Sequence, residues 1–138
     1  MTRDRRQFVL READQSYLDS LGLPWEALVD DGNFWVVVYD WRLGEGYTAS
    51  HVDVAIKIEP GYPDSQLDMA YFHPAVVRSD GGVIGATEAS QALDGKTWQR
   101  WSRHRTEANP WVAGDDDLQT HITLVQDWLE REFSRRAA

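Results

Sequence analysis

Hydrophobic and polar residues alternate most regularly between His51 and Glu59. Positions 52, 54, 56 and 58 are valine or isoleucine, whereas Asp53, Lys57 and Glu59 fall between or after them. Side chains two residues apart on a strand share one face of the sheet. The pattern therefore predicts a strand over residues 51–59, with one face buried and the other in contact with solvent.

Two neighbouring segments also have the composition of strands. Residues 33–41 are rich in β-branched and aromatic side chains, and residues 67–72 alternate until His73-Pro74 ends the run. Glycines and prolines at 43–46 and 60–63 mark the turns between these segments. Successive strands with short connections predict an antiparallel meander of three or four strands.

Helices are predicted on either side of this meander. Residues 11–20 favour a short helix that Gly22 and Pro24 terminate. Acidic residues 115–117 favour the start of a second helix, whose apolar stripe is Leu118, Ile122, Val125 and Leu129, with Trp128 and Phe133. Residues 75–114 contain scattered glycines and predict a long loop with at most short helical or extended pieces, and such loops are usually functional. We expect one α+β domain over residues 7–135, preceded by a flexible tail over 1–6.

Charge and composition exclude several classes of function. The net charge is −9, although residues 96–105 carry +4 and residues 1–11 carry +3. An acidic chain argues against nucleic-acid binding. No apolar stretch is long enough to span a membrane and no secretory signal precedes the domain, so we expect a cytoplasmic protein. There is no cysteine, which excludes disulfides and thiol chemistry, and the histidine spacing predicts neither a metal site nor a cofactor.

Residues 92–105 form the most unusual segment and are the candidate site. Trp98 and Trp101 are flanked by charges, so we expect the segment to be exposed or half-exposed. A loop tryptophan can order the loop by packing inward, or it can anchor a partner's tail. The candidate partner-binding residues are Trp98, Arg100, Trp101, Arg103, Arg105 and Trp111.

Four sequence runs resemble a known family. They are GYPDSQLDMAYFHP, DGKTWQRWSRHR, ANPW and DDLQTHITLVQDWLERE. Together they are similar to the prokaryotic branch of the ubiquitin-conjugating enzyme superfamily called family E, over about residues 30–134. The resemblance implies the ubiquitin-conjugating fold with a long active-site loop. It also implies a bacterial pathway with two partners, namely a ubiquitin-like protein, often with tandem domains, and an adenylating activating enzyme.

The chain departs from the family where conjugating enzymes carry their chemistry. Their His-Pro-Asn tripeptide is replaced by His73-Pro74-Ala75, and without a cysteine no thioester can form. One hypothesis is that Ser102, or else Thr97, carries the ubiquitin-like protein as an oxyester. His104 could then act as the base if the segment is extended.

Arginines near these hydroxyls could stabilise an oxyanion, or they could simply pair with neighbouring acids. The alternative hypothesis is a catalytically inactive module that scaffolds the ubiquitin-like protein and its activating enzyme. In either case we expect His73 to hold the loop through a backbone hydrogen bond. His51 is expected at the surface and His121 at the edge of the core.

Overall fold

The computed structural model describes residues 2–137, and of residues 134–137 it describes only the backbone. In chain order the elements are α1 (Glu12–Ser20), β1 (Trp25–Asp30), β2 (Asn33–Arg42), β3 (His51–Ile58), β4 (Ala70–His73), β5 (Ser90–Leu93), β6 (Lys96–Trp101) and α2 (Leu118–Ala137). The α+β class and both helices are as predicted. The capping prediction is also confirmed, because Asp117 Oδ1 accepts a hydrogen bond from Thr120 N at 3.0 Å.

All six strands form one antiparallel sheet in the order β1-β2-β3-β4-β6-β5. The predicted meander is β2, β3 and β4, although β4 begins at Ala70 rather than at residue 67. The last strand along the chain, β6, pairs with β4 in the register Ala70↔Trp101 and Phe72↔Gln99. The segment after β4 therefore returns to the sheet.

Both faces of this sheet are buried. On one face, α2 packs through the predicted stripe, whose four aliphatic residues are all buried. The other face holds a second apolar cluster made of Leu28, Trp35, Val37, Tyr39, Ala55, Tyr71, Leu93 and Trp98. The solvent-exposed face predicted for β3 is thus only partly correct, since Ala55 is fully buried while Asp53 and Lys57 are half-buried.

The second cluster is buried because the sheet curls until its two edges meet. Asp94, in the turn between β5 and β6, donates its backbone N–H to Asp30 at the end of β1, at 2.6 Å. Arg5 bridges the same gap, with contacts of 2.8 Å to Glu26 and 2.7 Å to Asp94. The last residues of the predicted tail are therefore anchored, since Arg6 forms a parallel bridge to Ala27.

Residues 75–114, predicted to be loop with at most short helical or extended pieces, contain the hairpin of β5 and β6. It turns at Asp94 and Gly95, whose φ angles are 54° and 74°. The same pair of residues, Asp31 and Gly32, joins β1 to β2 at φ angles of 50° and 75°. Two positive φ values at Asp-Gly are the geometry of a tight two-residue hairpin. The long loop reduces to residues 74–89 and 102–117.

Candidate functional site

The antiparallel pair of β4 and β6 determines where the four candidate catalytic residues lie. His73 ends β4 beside the start of β6, where Thr97 lies. Ser102 and His104 follow the other end of β6, beyond the pair Ala70↔Trp101. Four residues of strand, roughly 13 Å, separate the two ends. The sequence-predicted residues thus form two groups rather than one.

Ser102 lies at the first position after β6 and is half-buried. Its Oγ accepts a hydrogen bond from Arg100 Nε at 3.2 Å, and its backbone N–H donates to Ala86 O at 3.0 Å. Within residues 2–137 no hydrogen bond joins Ser102 Oγ to a histidine ring. A guanidinium beside a hydroxyl stabilises negative charge that develops on or near its oxygen.

The two chain segments that flank Ser102 in space each contain a residue with an unfavourable backbone conformation. Met69, on the β4 side, has φ 60°, and Ala86, on the opposite side, has φ 57°. Elsewhere in the described chain, the non-glycine residues with positive φ are all aspartates, which tolerate this region better. Backbone strain of this kind costs of order 1–3 kcal/mol per residue and concentrates at functional sites. Ser102 therefore lies beside the kind of backbone strain that is typical of functional sites.

An acid–histidine pair involves His104, two residues after Ser102, and is not predicted from the sequence. His104 Nδ1–H donates to Asp68 Oδ2 at 2.8 Å, while 60% of the His104 side chain is exposed. Asp68 Oδ1 accepts the N–H of Met69 at 3.1 Å. Asp68 precedes β4 and His104 follows β6, so only strand pairing brings them together. No local sequence signal marks Asp68.

His73 and Thr97 form the other group. His73 Nδ1–H donates to Thr97 O at 3.1 Å, which confirms the predicted backbone hydrogen bond, and the His73 ring lies 5.5 Å from the ring of Trp98. The Thr97 side chain is exposed on the hairpin. His73 therefore ties the end of β4 to the start of β6.

Trp98 and Trp101 follow the inward-packing alternative, although most of the surrounding segment is exposed or half-exposed as predicted. Trp98 is 1% exposed in the second cluster, and Trp101 is fully buried against Phe72 in the main core. Successive positions on β6 face opposite sides of a sheet whose two faces are both covered, so residues three apart enter different cores. Neither indole can contact a partner while the sheet stays closed. Trp111 is half-buried, and its Nε1–H donates to Pro63 O at 3.0 Å.

The predicted cations have different surroundings. Arg103 donates to Gly85 O at 2.9 Å and lies 4.9 Å from the ring of Trp101. Arg105 has a side chain only 8% exposed, lies 3.6 Å from Asp116 and covers the Trp111 ring. For Arg105 the prediction of pairing with the acids at 115–117 is confirmed. Arg100 remains half-buried beside Ser102.

The remaining histidines lie outside this site. His51 is exposed, as predicted, and its Nδ1 lies 2.8 Å from Ser50 Oγ. His121 is buried more deeply than predicted, and Nε2–H donates to Met69 O at 2.8 Å while Nδ1 has no partner within the described chain. Burial lowers the pKa of His121. No group of three or more His, Asp or Glu residues that could hold a metal ion occurs within residues 2–137.

Comparison with known proteins identifies the family. A family model described as prokaryotic E2 family E matches residues 10–132. The chain belongs to this family. Comparisons with curated proteins and with solved structures found no match. An E2-like protein interacts, in general, with a ubiquitin-like protein and its activating enzyme. In this member of family E, no described helix is long and apolar enough to cross a membrane.

Proposed function

We propose that this E2-like protein is cytoplasmic and acts in a bacterial ubiquitination-like pathway. In that pathway it carries a ubiquitin-like protein as an oxyester on Ser102. Membership of the family supports a ubiquitin-like protein and its activating enzyme as the partners. Because the chain has no cysteine, the nucleophile must be an atom other than sulfur. The observation that carries the choice of Ser102 is the 3.2 Å hydrogen bond from Arg100 Nε to its Oγ. Thr97 is the second hydroxyl, but its side chain has no such cationic neighbour among the described contacts.

The transfer conserves atoms and charge in two steps. Ser102 Oγ attacks the C-terminal carbonyl of a ubiquitin-like protein already activated by its adenylating enzyme. The new C–O ester bond replaces the bond to the activating group, which leaves, and a base takes the serine proton. An amine then attacks the ester, so that a C–N bond forms and the C–O bond to Ser102 breaks. The amine loses a proton to the base, and the base returns a proton to the serine oxygen. Arg100 stabilises the negative charge of each tetrahedral intermediate.

Ser102→Ala is expected to abolish the covalent adduct. The full-length protein is mixed with the activating enzyme, the ubiquitin-like protein and ATP, and the adduct is followed by gel mobility with and without hydroxylamine. In a protein without cysteine, a hydroxylamine-labile adduct is an ester. Ser90→Ala is the matched control, because Ser90 is exposed at the start of the edge strand β5. An adduct that persists in Ser102→Ala but disappears in Thr97→Ala would move the site to Thr97.

A noncatalytic scaffold is the second candidate function. The observation that favours it is that Ser102 Oγ has no hydrogen bond to a histidine ring within residues 2–137. In that case the wild type forms no adduct under any condition, and Ser102→Ala leaves binding of both partners unchanged. Partner binding then depends on the exposed or half-exposed residues of the segment, Arg100 above all, and Arg100→Glu abolishes it in a pull-down.

A further inference from the structure

Asp68 lies 36 residues before His104 in the sequence but in direct contact with its ring. We propose that Asp68 positions the His104 imidazole so that Nε2 accepts the Ser102 proton, which makes Ser102 reactive toward activated acyl and phosphoryl groups. This inference rests on the proposed function, because it takes Ser102 as the nucleophile. It adds a positioning residue, and it adds a reactivity that needs no ubiquitin-like partner.

Both carboxylate oxygens of Asp68 accept hydrogen bonds. Oδ2 accepts the His104 Nδ1–H at 2.8 Å, and Oδ1 accepts the backbone N–H of Met69 at 3.1 Å. A carboxylate fixed at one oxygen presents the other in a defined direction. Because Nδ1 carries the proton, the neutral ring has its lone pair on Nε2, as a proton acceptor requires.

The backbone of Met69, next to Asp68, is held by hydrogen bonds to two other parts of the chain. Met69 N also lies 3.2 Å from Arg103 O, and Met69 O accepts the Nε2–H of buried His121 at 2.8 Å. These bonds tie the start of β4 to the segment after β6 and to α2. They also hold Met69 at φ 60°, a conformation that a non-glycine residue keeps only when its surroundings impose it.

The Asp68–His104 pair lies at the protein surface. The His104 side chain is 60% exposed and that of Asp68 is 26% exposed. An exposed contact of this kind contributes little to stability, since water screens it and the side chains lose freedom. Its effect is to orient the ring while leaving Nε2 open to solvent. The relay requires Nε2 to come within hydrogen-bond reach of Ser102 Oγ, directly or through one water molecule, when substrate is bound.

The chemistry can be followed with a fluorophosphonate probe, which reacts with activated serines. Ser102 Oγ attacks phosphorus, the P–F bond breaks as the O–P bond forms, fluoride leaves, and His104 Nε2 takes the serine proton. Asp68 Oδ2 keeps its hydrogen bond to Nδ1–H and stabilises the imidazolium, as in serine hydrolases. Arg100 stabilises the charge on the phosphoryl oxygens.

The experiment compares the full-length wild type with Asp68→Asn, Asp68→Glu, His104→Gln and Ser102→Ala. Labelling rates are measured by mass spectrometry, and the protonation site of the His104 ring by long-range ¹⁵N–¹H NMR spectra. Asp64→Asn is the matched control, because Asp64 is an exposed acid in the same connection between β3 and β4. His104→Gln removes the base without disturbing Met69, so it remains informative if Asp68→Asn folds poorly.

We expect wild-type Ser102 to be labelled with His104 protonated on Nδ1. Asp68→Asn should disturb that protonation pattern and slow labelling by about a hundred-fold, the lower end of the range for general-base catalysis. Asp68→Glu should partly restore the protonation pattern and the labelling rate. His104→Gln should be labelled as slowly as Asp68→Asn. Asp64→Asn should match the wild type.

Other outcomes overturn the inference and separate it from the proposed function. If Asp68→Asn changes neither the NMR pattern nor the labelling rate, Asp68 does not position the ring. If the NMR pattern changes but the rate does not, His104 is not the base. Wild-type protein that forms the ubiquitin-like adduct on Ser102 but resists the probe rejects the proton relay alone. Failure of both reactions rejects the proposed function as well.

Discussion

Replacing Trp101 by alanine is expected to lower the free energy of unfolding by about 3–5 kcal/mol, the usual range for a large aromatic side chain in a packed core. The indole has no exposed surface, and its ring packs edge-on against Phe72 at 5.1 Å. Its Nε1–H also donates to Gln99 Oε1 at 3.0 Å, and this amide in turn binds the backbone of Val76. Alanine would leave a cavity and free Gln99.

Urea unfolding followed by circular dichroism measures this loss. Trp111→Ala is the matched control, because the same side chain is removed from a half-buried position, and we expect a smaller loss there. A Trp101→Ala loss no larger than that of Trp111→Ala would contradict the burial of Trp101. It would favour instead the exposed segment that the sequence pattern predicts.

Replacing Glu26 by glutamine is expected to cost about 3 kcal/mol of stability near neutral pH. Glu26 is 1% exposed and accepts hydrogen bonds from Arg5 and from the hydroxyl of Tyr39. Hydrogen bonds from Arg5 lower the pKa of Glu26 to about 2, against burial, which acts in the opposite direction. The ionised form is thus strongly favoured in the folded chain, and glutamine cannot replace it.

The pH dependence of this effect has a definite sign. A carboxyl whose pKa is lower in the folded state binds protons more readily when unfolded, so its contribution is complete above the unfolded pKa. Stability from Glu26 is therefore present above about pH 4.5 and is lost progressively as the pH falls toward about 2. The difference between wild type and Glu26→Gln should shrink over that window in urea titrations.

Glu45→Gln provides the control for this series, because Glu45 is exposed in the turn after β2. We expect Glu45→Gln to follow the wild type at every pH. A Glu26→Gln variant whose deficit stays constant from neutral to acid pH would show that the carboxylate charge does not hold the two sheet edges together through Arg5.

Strands β2 and β3 and helix α2 could be predicted because each carries its pattern within its own sequence. Strands β1, β5 and β6 were not predicted, although a signal existed. Asp31-Gly32 and Asp94-Gly95 are the preferred sequence for a two-residue hairpin, and both turn with two positive φ angles. The glycines and Pro110 scattered through residues 75–114 predict a loop with at most short extended pieces, and they hide the hairpin signal at Asp94-Gly95.

The burial of the tryptophans could not be predicted from local pattern. Trp98 and Trp101 enter different cores only because the sheet curls and brings the β5–β6 turn onto β1. Residues on both faces of a doubly covered strand are apolar or aromatic, so alternation no longer distinguishes inside from outside. The charged neighbours of these indoles lie at the rims of the two cores, which made the segment resemble a surface loop.

The sequence by itself determined the family, the absence of thiol chemistry and the closeness of Ser102 to His104 along the chain, since composition and short spacing are properties of the chain alone. Only the tertiary structure decided that Asp68 meets His104 and that His73 lies at the opposite end of β4. These contacts depend on pairing between strands that are distant in the sequence. Burial of both faces of the curled sheet supplies the free energy that stabilises this pairing.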